Sequence, residues 1–213
     1  RKALVEEMGG TLHVVAADVK LQVEFNPAEL RGWRLIGYEN RLLRDEDFAD
    51  DARDAGNLGA GHTVTALYEV VPRAVEGTVP LRGVEPLRYG GAPGRGAPGG
   101  AAAPEVGAGE LLHVAVRYKR PGEGSSRLLT HPVRAADVRP AVAAASDDFR
   151  FAAAVAAFGM LLRDSEHRGA ATPAGVLALA RGARGADAGG HRADFVRLVE
   201  RWQALERELA AGR

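Results

Sequence analysis

The chain has 213 residues, enough for one large domain or two small ones with a real hydrophobic core. Its 28 Lys and Arg residues balance its 28 Asp and Glu residues. This zero net charge argues against nonspecific nucleic-acid binding, which depends on excess positive charge. Cysteine is absent, which excludes a disulfide scaffold, a cysteine nucleophile and any Cys-ligated metal site.

The basic residues are divided unevenly between the two types. Lysine occurs only at positions 2, 20 and 119, and all other basic residues are arginines. We attribute this bias to a GC-rich bacterial genome. No apolar run approaches the roughly 20 residues that span a bilayer, and no signal segment is recognisable. Because the sequence opens in a helix-like pattern without Met, we expect it to be the C-terminal piece of a longer protein.

The first half of the chain changes from a helical to a strand period. Leu4, Met8 and Leu12 stand at helical spacing and predict a short helix. Residues 18–25 then alternate between polar and apolar, which predicts a half-buried strand with a polar outer face. Four further strands are predicted at 33–38, 62–71, 110–119 and 126–134.

The last two predicted strands form a hairpin, in which Pro132 indicates an edge position or a bulge. The sequence between the third and fourth strands is of a different kind. In residues 90–109, 17 of 20 positions are Gly, Ala or Pro, and we expect a disordered excursion.

Three helices are predicted after residue 140. Ser146 is the expected N-cap of the first, which is apolar on almost every side and should be deeply buried. Thr172 and Pro173 begin the second, and Gly182 ends it. The third runs over residues 190–210, and its apolar stripe consists of Phe195, Leu198, Val199, Trp202, Leu205 and Leu209. We expect this stripe to pack on its own domain, and docking of a partner is the alternative.

The order of elements indicates the α+β class, with an antiparallel, β-sandwich-like sheet followed by a C-terminal helical subdomain. We assign residues 17–138 to the β region and 139–213 to a helical region that packs on the sheet. Residues 1–16 stand before both regions.

Five segments are distinctive in combination. They are DVKLQVEFNP at 18–27, WRLIGYENRLLRDEDFADD at 33–51, DAGNLGAGHTVTALYEVVP at 54–72, RFAAAVAAFGMLLRDS at 150–165 and VLALARGARG at 176–185. Together they closely resemble the C-terminal region of bacterial YfbK-like proteins, which carry a von Willebrand factor type A domain. The resemblance implies that residues 1–16 are the tail or exit helix of an upstream type A domain.

The resemblance also implies a protein-binding role without a known reaction. A type A domain binds a divalent metal through a DxSxS motif, which this chain lacks. We therefore expect no cofactor here and place any Mg²⁺ or Ca²⁺ in the upstream domain. The expected partners are an unidentified protein and the type A domain of the same chain, without nucleic acid. The resemblance favours the cell envelope or periplasm as the location.

An acidic stretch in the β region is a candidate metal site. Calcium binds six to eight oxygen atoms, and the weak candidate ligands are Asp45, Asp47, Asp50 and Asp51. Their spacing matches no EF-hand loop. The alternative is a solvated acidic loop paired with nearby arginines, and we favour it.

A glycine-flanked turn at residues 59–63 contains His62, which could serve a hydrolase-like enzyme together with the acidic stretch. We favour a tight turn that enters a strand, because no GxSxG elbow is present. The pair His113 and His131 on the hairpin could face each other, but two ligands are too few for catalytic zinc.

A polar cluster after the second strand is a candidate partner-binding surface. It comprises Tyr38, Glu39 and Arg41, and His62 is added to it. Ion pairing of Arg41 with a carboxylate that fixes the loop is the simpler interpretation. Taken together, the sequence predicts a non-catalytic protein-interaction or scaffold module, with the hydrolase-like enzyme as the alternative.

Overall fold

The structure is a computed structural model that describes residues 13–37, 48–50, 52, 55–73 and 109–211. The chain divides into two compact units, residues 1–138 and 139–213. Antiparallel strands form the first unit and helices the second, so the predicted α+β class is confirmed. The predicted N-terminal helix and nearly all of the Gly/Ala/Pro-rich excursion lie outside the described residues. Packing of the helical region on the sheet stays a prediction.

Within the described residues, six strands form two antiparallel sheets. They are β1 (Val14–Phe25), β2 (Leu30–Ile36), β3 (Gly56–Gly59), β4 (Leu67–Pro72), β5 (Glu110–Lys119) and β6 (Arg127–Arg134). One sheet has the order β3-β1-β5-β6, and the other pairs β2 with β4. The predicted β5–β6 hairpin is confirmed, and β6 with Pro132 is the last strand of its sheet, as Pro at an edge requires.

The structure corrects two of the predicted strands. β4 begins at Leu67, five residues after the predicted start at position 62, and residues 62–66 have no regular structure. β3 was not predicted, because its sequence GNLG has little intrinsic strand preference. It pairs with the first half of β1 through an irregular register, so its pairing partner determines its conformation.

The apolar face of the larger sheet is more open than the alternation predicts. Leu21 lies opposite Val116, which lies opposite Leu129, so these three residues form one row across β1, β5 and β6. Leu21 is 46% exposed and Leu129 is 58% exposed. The apolar side of the predicted half-buried strand is therefore only partly covered within the described residues.

The polar face is covered instead. Lys20, which the alternation places on an outer face, is only 1% exposed. Its Nζ donates a hydrogen bond to the carbonyl of Asp50 at 2.6 Å. The neighbouring Arg117 places its guanidinium over the Phe48 ring, 5.6 Å from the ring centroid. The segment around residues 48–50 therefore covers the polar face, and a periodicity argument cannot detect such a long-range contact.

The smaller sheet covers one end of the apolar face. Phe25, at the end of β1, stacks on Trp33 of β2 with ring centroids 4.6 Å apart, and Tyr68 of β4 lies 5.4 Å away. Burial raises the pKa of Tyr68. This aromatic cluster joins the two sheets and leaves the Leu21 end of the face without such a cover among the described residues.

The two hairpin histidines do not face each other. His113 pairs with Pro132, and His131 pairs with Val114. Since neighbouring positions on a strand point to opposite faces, His113 and His131 lie on opposite sides of the sheet. The predicted juxtaposition is wrong because the register is shifted by one position.

Three helices form the second unit: α1 (Asp147–Leu162), α2 (Pro173–Arg181) and α3 (His191–Ala211). The predicted caps are confirmed. The Ser146 hydroxyl accepts the amide hydrogen of Phe149 at 3.2 Å, and the Thr172 hydroxyl accepts that of Gly175 at 3.1 Å. The 3-10 turns Ala135–Asp137 and Val142–Ala144 lie between β6 and α1.

The core of the second unit is entirely apolar. Its buried members are Ala154, Phe158, Val176, Leu177, Ala180, Val196 and Val199. Phe158 makes edge-to-face contacts with Phe195 and Trp202 at centroid distances of 5.6 and 5.4 Å. Phe149, Val155 and Leu162 of α1 are exposed, so α2 and α3 do not bury this helix on every side.

Candidate functional site

Three charged side chains meet where β1 is irregular. The pairing of β1 with β5 shifts register between Ala17 and Lys20, and Asp18 in this irregularity has a φ of +51°. Aspartate tolerates this left-handed conformation better than most residues. The Asp18 carboxylate is buried between Lys20 of the same strand and Lys119 at the end of β5.

The contacts of Asp18 are short and come from distant parts of the sequence. Its Oδ2 lies 3.0 Å from Nζ of Lys119 and 3.5 Å from Nζ of Lys20. Its Oδ1 accepts the amide hydrogen of Ala55 at 2.8 Å, and its own amide donates to Oδ1 of Asn57 at 3.2 Å. We call Asp18, Lys20 and Lys119 the lysine cluster.

The electrostatics of the lysine cluster favour the ionised carboxylate. Burial alone would raise the pKa of Asp18, but the hydrogen bond from Lys119, the charge of Lys20 and the Ala55 amide outweigh it. The pKa of Asp18 is therefore held below its usual range, and the carboxylate is charged at neutral pH. Its bonds are charge-assisted, so the cluster holds the backbone of Asp50 and Ala55 and the side chain of Asn57 to the sheet.

A second polar group lies at the other end of the same face. Glu110 and Asn26 are buried, and the Asn26 side-chain amide donates to the Glu110 carbonyl at 2.6 Å. Nδ1 of His113 lies 3.7 Å from Oε1 of Glu110, and Glu24 is the strand partner of His113. The polar face thus carries Glu110 and His113 at one end and the lysine cluster, which includes the Asp18 carboxylate, at the other.

Comparison with known proteins places this arrangement in a family. The family described as "Uncharacterized protein YfbK, C-terminal" matches residues 10–205. The chain belongs to this family. The match covers both units, so the lysine cluster and the helical core are parts of one family region.

A curated relative gives the same result. The chain is 38% identical over 200 residues to the uncharacterized protein YfbK of Escherichia coli (strain K12), which is 94% of this chain and 32% of the relative. The chain therefore spans about a third of the relative's length. No solved structure matches this chain.

The candidate metal site of the chain lies mostly outside the described residues. Asp45, Asp47 and Asp51 belong to that undescribed part. Asp50 is exposed, and its Oδ1 accepts the amide hydrogen of Ala52 at 2.9 Å. Within the described ranges no group of three or more His, Asp or Glu residues is arranged to hold a metal ion. The preference for a solvated acidic loop over a metal site stays a prediction.

The candidate partner surface is described only at one residue. Tyr38, Glu39 and Arg41 lie outside the described residues, whereas His62 is partly buried after a turn in which Gly61 has a φ of +77°. The His62 amide donates to the Gly59 carbonyl at 3.1 Å. The turn is confirmed, but it leads into the irregular residues before β4 rather than directly into a strand.

The sequence contained a signal for the lysine cluster. Lysine is rare in this chain, yet two of its three lysines, Lys20 and Lys119, converge on one carboxylate. Aspartate is also depleted in strands, so Asp18 at the start of an alternating segment is unusual. Attributed to genome composition, this rarity did not predict the cluster, which only the fold brings together.

The described part of the chain contains no helix that is both long and apolar enough to cross a membrane.

Proposed function

We propose that this chain is a non-catalytic protein-binding module that acts as a scaffold beside a von Willebrand factor type A domain. The observation that carries the proposal is the incompletely covered apolar face of the larger sheet. Leu21, Val116 and Leu129 form a row on this face, and the two leucines are about half exposed. Contiguous apolar surface of this kind is characteristic of protein–protein contacts.

The rigidity of the surrounding structure supports a scaffold role. The aromatic cluster around Phe25 packs at one end of the sheet, and the lysine cluster bonds to Asp50 and Ala55 on the opposite face. Leu21, Val116 and Leu129 lie on the paired strands β1, β5 and β6, which are formed without any binding partner. A preorganised surface loses little conformational freedom on binding, which favours affinity.

The partner we propose is the part of the longer protein that precedes this region. The family is a C-terminal region, and the aligned residues make up 32% of the E. coli relative. The resemblance of the five distinctive segments suggests that a type A domain lies in the remaining length. A contact with that domain would hold the two parts of the protein in one orientation.

A matched pair of substitutions on β6 tests this proposal. Leu129→Glu charges the open apolar row, whereas Leu128→Glu charges the neighbouring residue, which is 50% exposed and points to the opposite face. The probe is the purified part of the E. coli relative that precedes the matched region, titrated by calorimetry. We expect Leu129→Glu to weaken binding at least about tenfold and Leu128→Glu to leave it unchanged. Equal effects of the two variants, or no binding by the unmodified chain, would overturn the proposal.

A further inference from the structure

The apolar stripe of α3 is only partly used by its own unit. Phe195, Leu198, Trp202, Leu205 and Leu209 recur at alternating steps of three and four residues, the heptad spacing of a coiled-coil seam. Val196 and Val199, on the adjacent side of the helix, are buried in the helical core, and the seam residues Phe195 and Trp202 pack against that core through Phe158. Leu198, Leu205 and Leu209 are 55%, 56% and 65% exposed, so the outer part of the seam is open.

Two charges border the open side of this seam. Arg201 and Glu208 each stand one residue before a seam position, Trp202 and Leu209, and they are separated by seven residues, or two helical turns. Both side chains are exposed. Residues at this position of a heptad form the ion pairs between helices that determine orientation.

These charges are self-complementary when two copies of α3 run antiparallel. If Trp202 of one copy packs against Leu205 of the other, Leu209 packs against Leu198 of the other copy. The same register places Arg201 opposite Glu208 of the second copy, and the two-fold symmetry produces this pair twice. Apolar layers and ion pairs therefore coincide in a single register.

A parallel arrangement of the two α3 helices would need a charged residue from the other side of the seam. It would place Arg201 opposite Glu206 of the second copy. Glu206 lies on the other side of the seam, where it lines a groove with Trp202 and Thr172 of its own unit. The antiparallel arrangement needs only residues on the open side of α3.

We propose that the second unit is a self-association site, in which the seams of α3 from two copies of this chain pack antiparallel. A contact between two helices of this length falls among small interfaces, below about 1,200 Å². The dimer is therefore weak and reversible. This inference is independent of the proposed partner of the sheet, because it concerns a different surface.

Charge reversal in the full 213-residue chain tests both the dimer and its orientation. Sedimentation equilibrium from about 1 µM to about 1 mM gives the dissociation constant. We expect Arg201→Glu and Glu208→Arg each to raise that constant about tenfold, since each creates two like-charge pairs per dimer. The double variant Arg201→Glu/Glu208→Arg restores the opposite-charge pairs and is expected to recover the original value.

Matched controls separate this site from a general effect of charge. Arg207→Glu reverses a charge on the outer side of α3 and is expected to leave the dissociation constant unchanged. Leu205→Glu is expected to abolish the dimer, with unchanged circular dichroism because Leu205 is largely exposed. Rescue of Arg201→Glu by Glu206→Arg instead of Glu208→Arg would overturn the antiparallel arrangement. A chain that stays monomeric at about 1 mM would overturn the proposal as a whole.

Discussion

The two units bury different kinds of side chain. In the described part of the chain, the buried polar or charged residues are Asp18, Lys20, Asn26, Glu110 and His113, and all of them belong to the first unit. The buried residues of the second unit are all hydrophobic. We therefore expect the first unit to depend on charge pairing and hydrogen bonding, and the second on packed apolar volume.

The difference follows from how each unit forms its interior. A three-helix unit brings three amphipathic helices together, so apolar stripes fill the interior. In the first unit, the larger sheet has its polar face covered by an irregular segment, whose own backbone amides and carbonyls need hydrogen-bond partners. Lys20 and Asp18 supply these partners, which explains why charged residues lie inside.

The largest expected effect comes from Asp18→Asn. The substitution keeps a residue that tolerates positive φ but leaves two lysines beside a neutral group, and removing one partner of a buried ion pair costs about 3–5 kcal/mol. Denaturant unfolding measures this loss, and hydrogen exchange is expected to place it in the peptides of the first unit.

Asp164→Asn is the matched control for Asp18→Asn. Asp164 also has a positive φ, of 48°, and also pairs with a cation, Arg168, but its side chain is 84% exposed. We expect its neutralisation to cost less than about 1 kcal/mol. Similar losses for the two variants would show that burial of the lysine cluster does not stabilise the first unit.

The second unit is expected to respond most to loss of volume. Leu177→Ala removes a buried side chain from the helical core and should cost about 3 kcal/mol through lost burial and the cavity left behind. Leu162→Ala removes the same atoms from an exposed position on α1 and should cost about 0.5 kcal/mol. Thermal unfolding followed by the helical circular dichroism signal compares the two, and equal costs would contradict an interior that depends on packing.

How far the sequence predicts each unit depends on the range of the interactions that form it. The helices were predicted closely because Ser146, Thr172 and Gly182 act within a few residues of themselves. The strand β3 was missed because its conformation comes from pairing with β1. Local patterns therefore predict most of the helical unit and only part of the sheet.

The candidate site illustrates the same limit. Alternation in β1 correctly separates an apolar from a polar face, but it cannot tell which face another segment will cover. Asp18 bonds to Ala55, 37 residues away in the sequence. The spacing of residue types along the sequence cannot reveal a contact between positions so far apart. The scarcity of lysine is the one sequence feature connected with it.

The pH dependence of stability is expected to distinguish the two units. The pKa of Asp18 is lowered in the folded state, so its contribution is present above the unfolded value of about 3.9 and is lost as pH falls through the lower folded value. The stability difference between the unmodified chain and Asp18→Asn should therefore be constant from about pH 5 to 8 and shrink below about pH 4. Unfolding at several pH values measures it, and a difference that grows at low pH would contradict the assigned ion pairing.

The smallest expected effect concerns a local feature of the helical unit. Thr172→Ala removes the hydroxyl that accepts the Gly175 amide hydrogen at the start of α2 and should cost about 1 kcal/mol. Thr172→Ser keeps the hydroxyl and should cost much less. Because neither the Thr172 hydroxyl nor the Gly175 amide gains or loses a proton between about pH 4 and 8, this loss should not depend on pH there, in contrast to the acid-sensitive ion pairing of the first unit. If Thr172→Ala and Thr172→Ser lose the same stability, the methyl group of Thr172 rather than its hydrogen bond supports α2. Apolar packing would then stabilise the second unit even at an exposed helix end.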